Sequence, residues 1–440
     1  MTNNIKESDV NTNPVSHIRP SLKGLLCKVL TDNEKIVIAL LFLLYMPFIA
    51  KVPQSIWSAF FLPGSGVILL VAIGVGLLFA LPGLSIAINR HFVLLLSLAS
   101  MFTLLCIVSF VLSPEIKASL LLETTLRFII FGALALVLIY SIDDFDIFWK
   151  YLIRSSYIVS FCGFFYYLSS LFYADTYSMP FSYALIIPMV VLSINFMKSH
   201  NWYDAVTILF LLLMVFARGS RGALVVLFAA AALFMFNWIF HELNKKVRKP
   251  IFIGIVASLV SALSLLIVNL QSVLPLTGRL LEKIGLGGRT ITLFSQGEIF
   301  HLSGREEITE SLLLELGKDP FAFHGIYGTG VVAGDFMHID MGGMYAHNIV
   351  LELIFTFGIV TGLFMFALVI GIILVSFFIA RKSSERNLLI LFISLGLVPA
   401  FFSDILWINT PFWVLMALSS VIIVHWAKNR IQTKKEVKVV

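Results

Sequence analysis

The chain has 440 residues, of which 59% are hydrophobic and 13% charged, against about 25% charged in a soluble domain. So few charges cannot cover a water-facing surface, and the mean hydropathy of +0.98 excludes an ordinary soluble protein. The net charge of +6 does not mark a nucleic-acid binder, because the basic residues sit between apolar runs and form no single patch. Cys27, Cys106 and Cys162 fall in or near apolar segments or the N-terminal tail, so neither a disulfide framework nor a cysteine metal site is expected.

Residues 1–35 are polar, rich in Asn and Pro, and read as a flexible cytoplasmic tail without a cleavable signal peptide. Apolar windows follow at 36–53, 64–82, 92–113, 118–140, 147–172, 179–197, 203–217, 221–241, 251–270, 346–380, 387–404 and 410–427. All but 346–380, which runs to 35 residues, are near the ~20 residues that a transmembrane helix needs. The expected fold class is therefore an all-α polytopic membrane protein with about twelve transmembrane helices. Residues 36–270 would carry helices one to nine, 271–346 one long outer loop, 347–427 the last three helices, and 428–440 a basic tail. No internal repeat is evident in the sequence.

Lys and Arg remain preferentially on the cytoplasmic side. With both termini inside, 21 of the 31 basic residues lie there. Nine lie outside, and seven of those, Arg218, Arg221, Arg279, Lys283, Arg289, Arg305 and Lys318, belong to one turn and the long loop. An anionic ligand on the outer face would explain this departure from the rule.

Three segments carry candidate chemistry. In ARGSRGA (217–223), Arg218 and Arg221 share a face if helical, and guanidinium groups bind phosphate in a fork. Arginines at an interface also snorkel to lipid headgroups. REEITESLLLEL (305–316) predicts a helix with Ile308, Leu312 and Leu316 on one face. That places Arg305 at a helix start, where free N–H groups favour an anion. In YAHNIVLELIFTFGIVTG (345–362), His347 and Asn348 stand where the loop meets the next apolar run. A neutral His accepts a proton from a hydroxyl, although a His at a helix entrance is commonly a cap. Glu352, within the apolar stretch, is a functional candidate by its cost, or a support for Asn348 or His347. Glu123 and Arg127 are four apart in one span, as an intrahelical pair or a substrate contact. Asp404, in FFSDILW, would orient His347 or end a helix. Asp335, His338 and Asp340 have a spacing that a metal would accept but lack further ligands, so no metal is expected.

The order of SRGA at 220–223, SGR at 303–305, KDPFAFHGIYGTG at 318–330, AHNIVLE at 346–352 and FGIVTGL at 357–363 resembles the O-antigen polymerase/ligase family over about 211–363. The resemblance implies a helical fold like that of the GT-C-type glycosyltransferases and an undecaprenyl-pyrophosphate-linked oligosaccharide as donor. It implies that Arg221 and Arg305 hold the pyrophosphate and that His347 acts on the acceptor. Asp404 resembles an acidic residue of the family's late outer loop. Arg218 matches no motif position and stays, with Arg289, Asn348, Glu352 and Asp404, as a substrate-binding candidate. No cofactor is expected, and transfer should be metal-independent with inversion. The implied setting is a bacterial inner membrane, with membrane lipid and a chain-length regulator protein as partners. SRGA, the plain AHN and the LELIFTFGIVTG run look more like the polymerases than the ligases. A flippase for the same lipid would suit twelve spans, but transporters usually show repeated halves and charges near the midplane.

Overall fold

The computed structural model describes residues 30–59, 65–113, 116–170, 179–218, 221–241, 305–337, 345–402 and 405–437, with a few residues between 275 and 283. Every regular element among them is helical. These helices belong to one unit, Asp32–Val440.

Helix α1 (Asp32–Leu44) opens with Asp32 and Glu34 in its first turn, where the free N–H groups favour carboxylates. It meets α2 (Met46–Ala59) at 61°. Pro47 begins α2 without the N–H that a continuous helix would need.

Helix α3 (Ser65–Leu112) is kinked at His91, whose backbone is non-helical with φ −132° and ψ 34°. Its contacts make it a hairpin. A Cβ at Gly83 would overlap the Lys35 carbonyl, and one at Gly76 would overlap the Phe42 ring, so the first leg runs antiparallel to α1. Beyond the kink, the His91 and Tyr140 rings are 6.4 Å apart and the Phe102 and Phe128 rings 4.0 Å. The second leg is thus antiparallel to α4 (Ala118–Arg127), the π-helical turn Phe128–Ala133 and α5 (Leu134–Tyr140). Leu43, Leu44 and Arg127 line one cavity, so both legs rise away from the same end. Legs of about 25 and 20 residues, ~37 and ~30 Å long, each match the ~30 Å hydrocarbon layer. Arg90 clasps the turn through Asp32 at 3.6 Å, Asp143 at 3.4 Å and the Ser141 carbonyl at 3.3 Å.

Next come α6 (Phe145–Ser170), α7 (Met179–Ser199), α8 (Trp202–Arg218) and α9 (Arg221–His241). Buried Asp204, at the start of α8, accepts hydrogen bonds from Tyr157 of α6 and from Asn195 Nδ2 of α7 at 2.8 Å, which ties these three helices. Two short helices, α10 (Arg305–Lys318) and α11 (Gly328–Met337), come next among the described residues. Ile308 and Leu312 of α10 bury against Ala333 of α11 and Ile354 and Phe355 of α12 (Ile349–Phe357), a small core of its own. The intervening loop lands on the end of α3: the Ser113 hydroxyl donates to the His324 carbonyl at 2.9 Å, and Ile326 N donates to Ser109 Oγ at 3.0 Å.

The expected span over 346–380 is not one helix. It breaks at Gly358, with φ +77°, between α12 and α13 (Ile359–Ile379). A Cβ at Gly362 would lie 2.6 Å from Ile354 Cα, so α12 folds back onto α13. A Cβ at Gly358 would lie 3.0 Å from the Phe321 carbonyl oxygen. Glycine is needed for both the dihedral and the approach. Helix α14 (Ser383–Phe392) continues through a π-helical segment, Ile393–Leu397, and α15 (Thr410–Val437) follows a short 3₁₀ turn, Leu406–Ile408.

Among the described residues, six helices are long and apolar enough to cross a membrane, or seven with α1–α2 taken as one bent span. This is a multi-pass membrane protein. The difference from the expected twelve has identifiable sources. Two windows merge in the α3 hairpin, 251–270 lies outside the described residues, and α6, α8 and α14 fall outside the six because they are shorter or richer in polar residues. Large apolar side chains on α3, such as Leu70 and Phe79, each 70% exposed, suit contact with lipid better than with water.

Candidate functional site

Three segments far apart in the chain meet at the end of the bundle opposite Arg90. Gly222, of the ARGSRGA segment, stands in the first turn of α9 against Tyr183 of α7 and against Phe402, which lies beyond α14. A Cβ there would overlap Tyr183 Oη and lie 3.2 Å from the Phe402 ring. Arg305, the first residue of α10, donates from Nη1 to the Phe402 carbonyl at 2.6 Å. Phe402 is thus touched on its ring by the α9 start and on its carbonyl by Arg305. One N–H of Arg305 is used there, and a guanidinium has five.

Arg305 also acts on His347. Burial lowers the His347 pKa most, and the Arg305 charge lowers it further, to about 4. His347 is neutral at neutral pH as a result. Its backbone is in the left-handed region, with φ +53°, an uncommon state for a residue with a Cβ. Its Nδ1 is buried without a hydrogen-bond partner. The ring lies 4.0 Å from that of Tyr345. A neutral imidazole with an uncommitted nitrogen, held near a cation, is equipped to accept a proton beside an anionic group.

The neighbouring candidates have internal duties. Asn348 caps α12, its Oδ1 accepting from Val350 N at 2.9 Å and Leu351 N at 3.4 Å, the usual service of an N-cap side chain. Glu352 is buried and accepts from Thr329 Oγ1 at 3.1 Å and Trp407 Nε1 at 3.2 Å. It braces α12 against α11 and the 3₁₀ turn, and so fixes the segment that carries His347. The side chains of Arg218 and Arg221 lie outside the described residues, as do Arg289, Asp404, Ser303, Gly304, His338 and Asp340. No group of three or more His, Cys, Asp or Glu suited to a metal occurs among the described residues.

A cavity of about 520 Å³ adjoins this site. Leu43 and Pro47 at the α1–α2 bend, Arg127, Tyr183, Tyr345 and Ile408 are among its walls. Tyr345 links it to His347, and Tyr183 links it to Gly222. Tyr183 and Trp407 had no motif to flag them, because each becomes a neighbour of the site only through the packing of a distant helix. Tyr345 directly precedes the AHN motif, which by itself assigns it no role.

No model of a known protein family matches the chain, and no curated protein matches it.

Proposed function

We propose that the chain is an O-antigen polymerase, a glycosyltransferase that joins undecaprenyl-pyrophosphate-linked oligosaccharide units at the periplasmic face of a bacterial inner membrane. The observation that carries this reading is the meeting of Gly222, Arg305 and His347 at one end of a bundle of membrane-length helices, since these residues belong to the three separate motifs of the resemblance. Some 80 residues separate the first two in sequence, and their place at one end is what a site built from these motifs would need.

In this reading, the acceptor hydroxyl attacks the anomeric carbon of the donor. The carbon–oxygen bond to pyrophosphate breaks with inversion, and His347 takes the hydroxyl proton. Pyrophosphate is already a good leaving group, so the chief requirement is cationic stabilisation of the charge that grows on it. Arg305 suits that task, and Arg221 joins it by its place in the SRG motif. Transfer then needs no metal. The reading retains about twelve spans in a GT-C-like arrangement, with both termini cytoplasmic and a chain-length regulator protein as partner.

The test is deletion in the native host followed by gel analysis of lipopolysaccharide. Deletion should leave a single repeat unit on the core. Wild type should restore the ladder, while Arg221→Ala, Arg305→Ala and His347→Ala, confirmed to reach the membrane, should not. Loss of the base should lower the transfer rate by roughly 10²–10⁴-fold. Accumulation of lipid-linked polymer would identify a ligase instead, and intermediate trapped on the cytoplasmic face a flippase. A normal ladder from the variants would remove these residues from the site.

A further inference from the structure

A second cavity, of about 740 Å³, lies between α7 and α9 and takes no part in this mechanism. The two helices run parallel. Tyr183 meets Gly222 near their starts, and the cavity walls come from residues 190–200 of one and 227–238 of the other. The cavity therefore occupies the halves of both helices remote from Arg305 and His347. It is elongated along them, since Val190 to Lys198 alone spans ~12 Å. Both helices are apolar and long enough to cross a membrane. On the cavity rim, Met197, Met235 and Trp238 are 47%, 39% and 38% exposed. The groove thus opens sideways, at the surface where lipid would lie.

Its chemistry changes along its length. Val190, Ile194, Leu227, Ala231 and Phe234 line the stretch nearer the site, and Ser193 is the one hydroxyl among the described walls. Lys198 and His200 stand together at the other end, with Trp238 of α9. Lys198 Nζ donates to Ser383 Oγ at 2.6 Å. A neutral hydroxyl leaves the ammonium charged, and an ammonium has three donors. His200 has φ +52° and sets its ring edge-on to that of Phe196, another wall, at 6.4 Å. A fully polar ligand would leave its groups unpaired along the apolar stretch. A neutral hydrocarbon would make no use of Lys198. An apolar chain that ends in an anionic head matches both parts.

We infer that this groove holds an anionic phospholipid of the surrounding bilayer, with one acyl chain between α7 and α9 and its phosphate at Lys198. Lysines at the membrane boundary attract anionic lipids, while their stems lie along apolar surface. The bound chain bridges the two helices whose starts meet at Tyr183 and Gly222, and so supports the packing beneath the candidate site. Nothing in this depends on glycosyl transfer.

The experiment uses the full chain in maltoside micelles, with dibrominated phosphatidylglycerol as probe and dibrominated phosphatidylcholine as comparison. Bromine quenches the fluorescence of a tryptophan that it touches. The chain has 7 Trp, so the signal of Trp238 is the difference between the wild type and Trp238→Phe. Phosphatidylglycerol should quench Trp238 at about fivefold lower concentration than phosphatidylcholine, the effect of one lysine near a membrane surface. Lys198→Gln should remove that preference. Ser383→Ala, which takes away the hydroxyl and keeps the ammonium, should retain it. Ala231→Phe, which fills the groove, should weaken quenching by both lipids, and Leu227→Phe replaces it if it fails to fold by gel filtration. Equal quenching by the two lipids in the wild type, or a preference that survives Lys198→Gln, would overturn the role of Lys198. Unchanged quenching in the groove-filling variant would overturn the groove as the site. The absence of any Trp238 signal would overturn the lipid as occupant and leave the groove to residues 251–270 or to a second copy of the chain.

Discussion

His347 is held neutral by two unlike causes, burial first and the Arg305 charge second. The sign of the consequence follows from its direction. A pKa near 4 in the folded chain, against ~6.5 in the unfolded chain, means that the folded state resists a proton which the unfolded state accepts. Above pH ~6.5 both are neutral and the group contributes nothing to pH dependence. Stability is lost as the pH falls from there toward 4. If the chain is the proposed transferase, the acid limb of its activity should therefore lie well below pH 6.5. Arg305→Gln should move that limb upward, as well as slowing the reaction, and a pH–rate profile with an unmoved limb would refute the coupling. Glu352 gives a test of a different kind. Glu352→Ala should leave Trp407 Nε1 and Thr329 without their acceptor and lower stability by ~1–3 kcal/mol, read by thermal unfolding in detergent. Glu352→Gln should cost less. The sequence flagged Arg305 and His347 through their motifs, and it flagged Glu352 through the oddity of a carboxylate in an apolar run. It could not separate a wall of the site from a brace behind it, because that depends on Trp407, 55 positions away.

At the scale of elements, the apolar windows located most helices, and the misreadings came where hydropathy does not report direction. The run over 346–380 stays apolar through Gly358, so nothing in its composition marks the fold-back of α12 on α13. The cause is the Phe321 carbonyl, supplied by the loop after α10 and pressed against that glycine. Ile359 N donates to the Pro320 carbonyl at 3.1 Å, and His324 N donates to the Phe355 carbonyl at 2.9 Å, so the loop also satisfies backbone groups exposed by the break. Gly358→Ala should cost ~1–3 kcal/mol through its strained φ, with more from the contact at 3.0 Å. Its thermal midpoint should fall below that of Gly371→Ala, where a Cβ meets nothing within 4 Å. Equal midpoints would show that the break tolerates a side chain. The two π-helical segments were also illegible, since they arise from packing. Gly396, in the second, approaches the start of α15 so closely that a Cβ would stand 2.6 Å from Phe412 N.

For the whole molecule, the contacts define two ends. Arg90, Asp32 and Asp143 gather at one, and the loop at His324–Ile326 meets Ser109 and Ser113 at the other. In a variant freed of Cys27, Cys106 and Cys162, Asp319→Cys should react with an impermeant maleimide in cells with a permeabilised outer membrane. Asp143→Cys should react only after the inner membrane is opened. The reverse pattern would invert the orientation and place His347 inside the cell. The turn at Arg90 also bears on how the chain is made. Its two legs have no connecting loop, so the second leg follows the first off the ribosome without an interval. Asp32 is already synthesised when Arg90 emerges, but Asp143 follows only after the next crossing. The clasp can therefore close only once α5 is complete, which makes residue 143 the point in translation at which the first crossings become locked to one another.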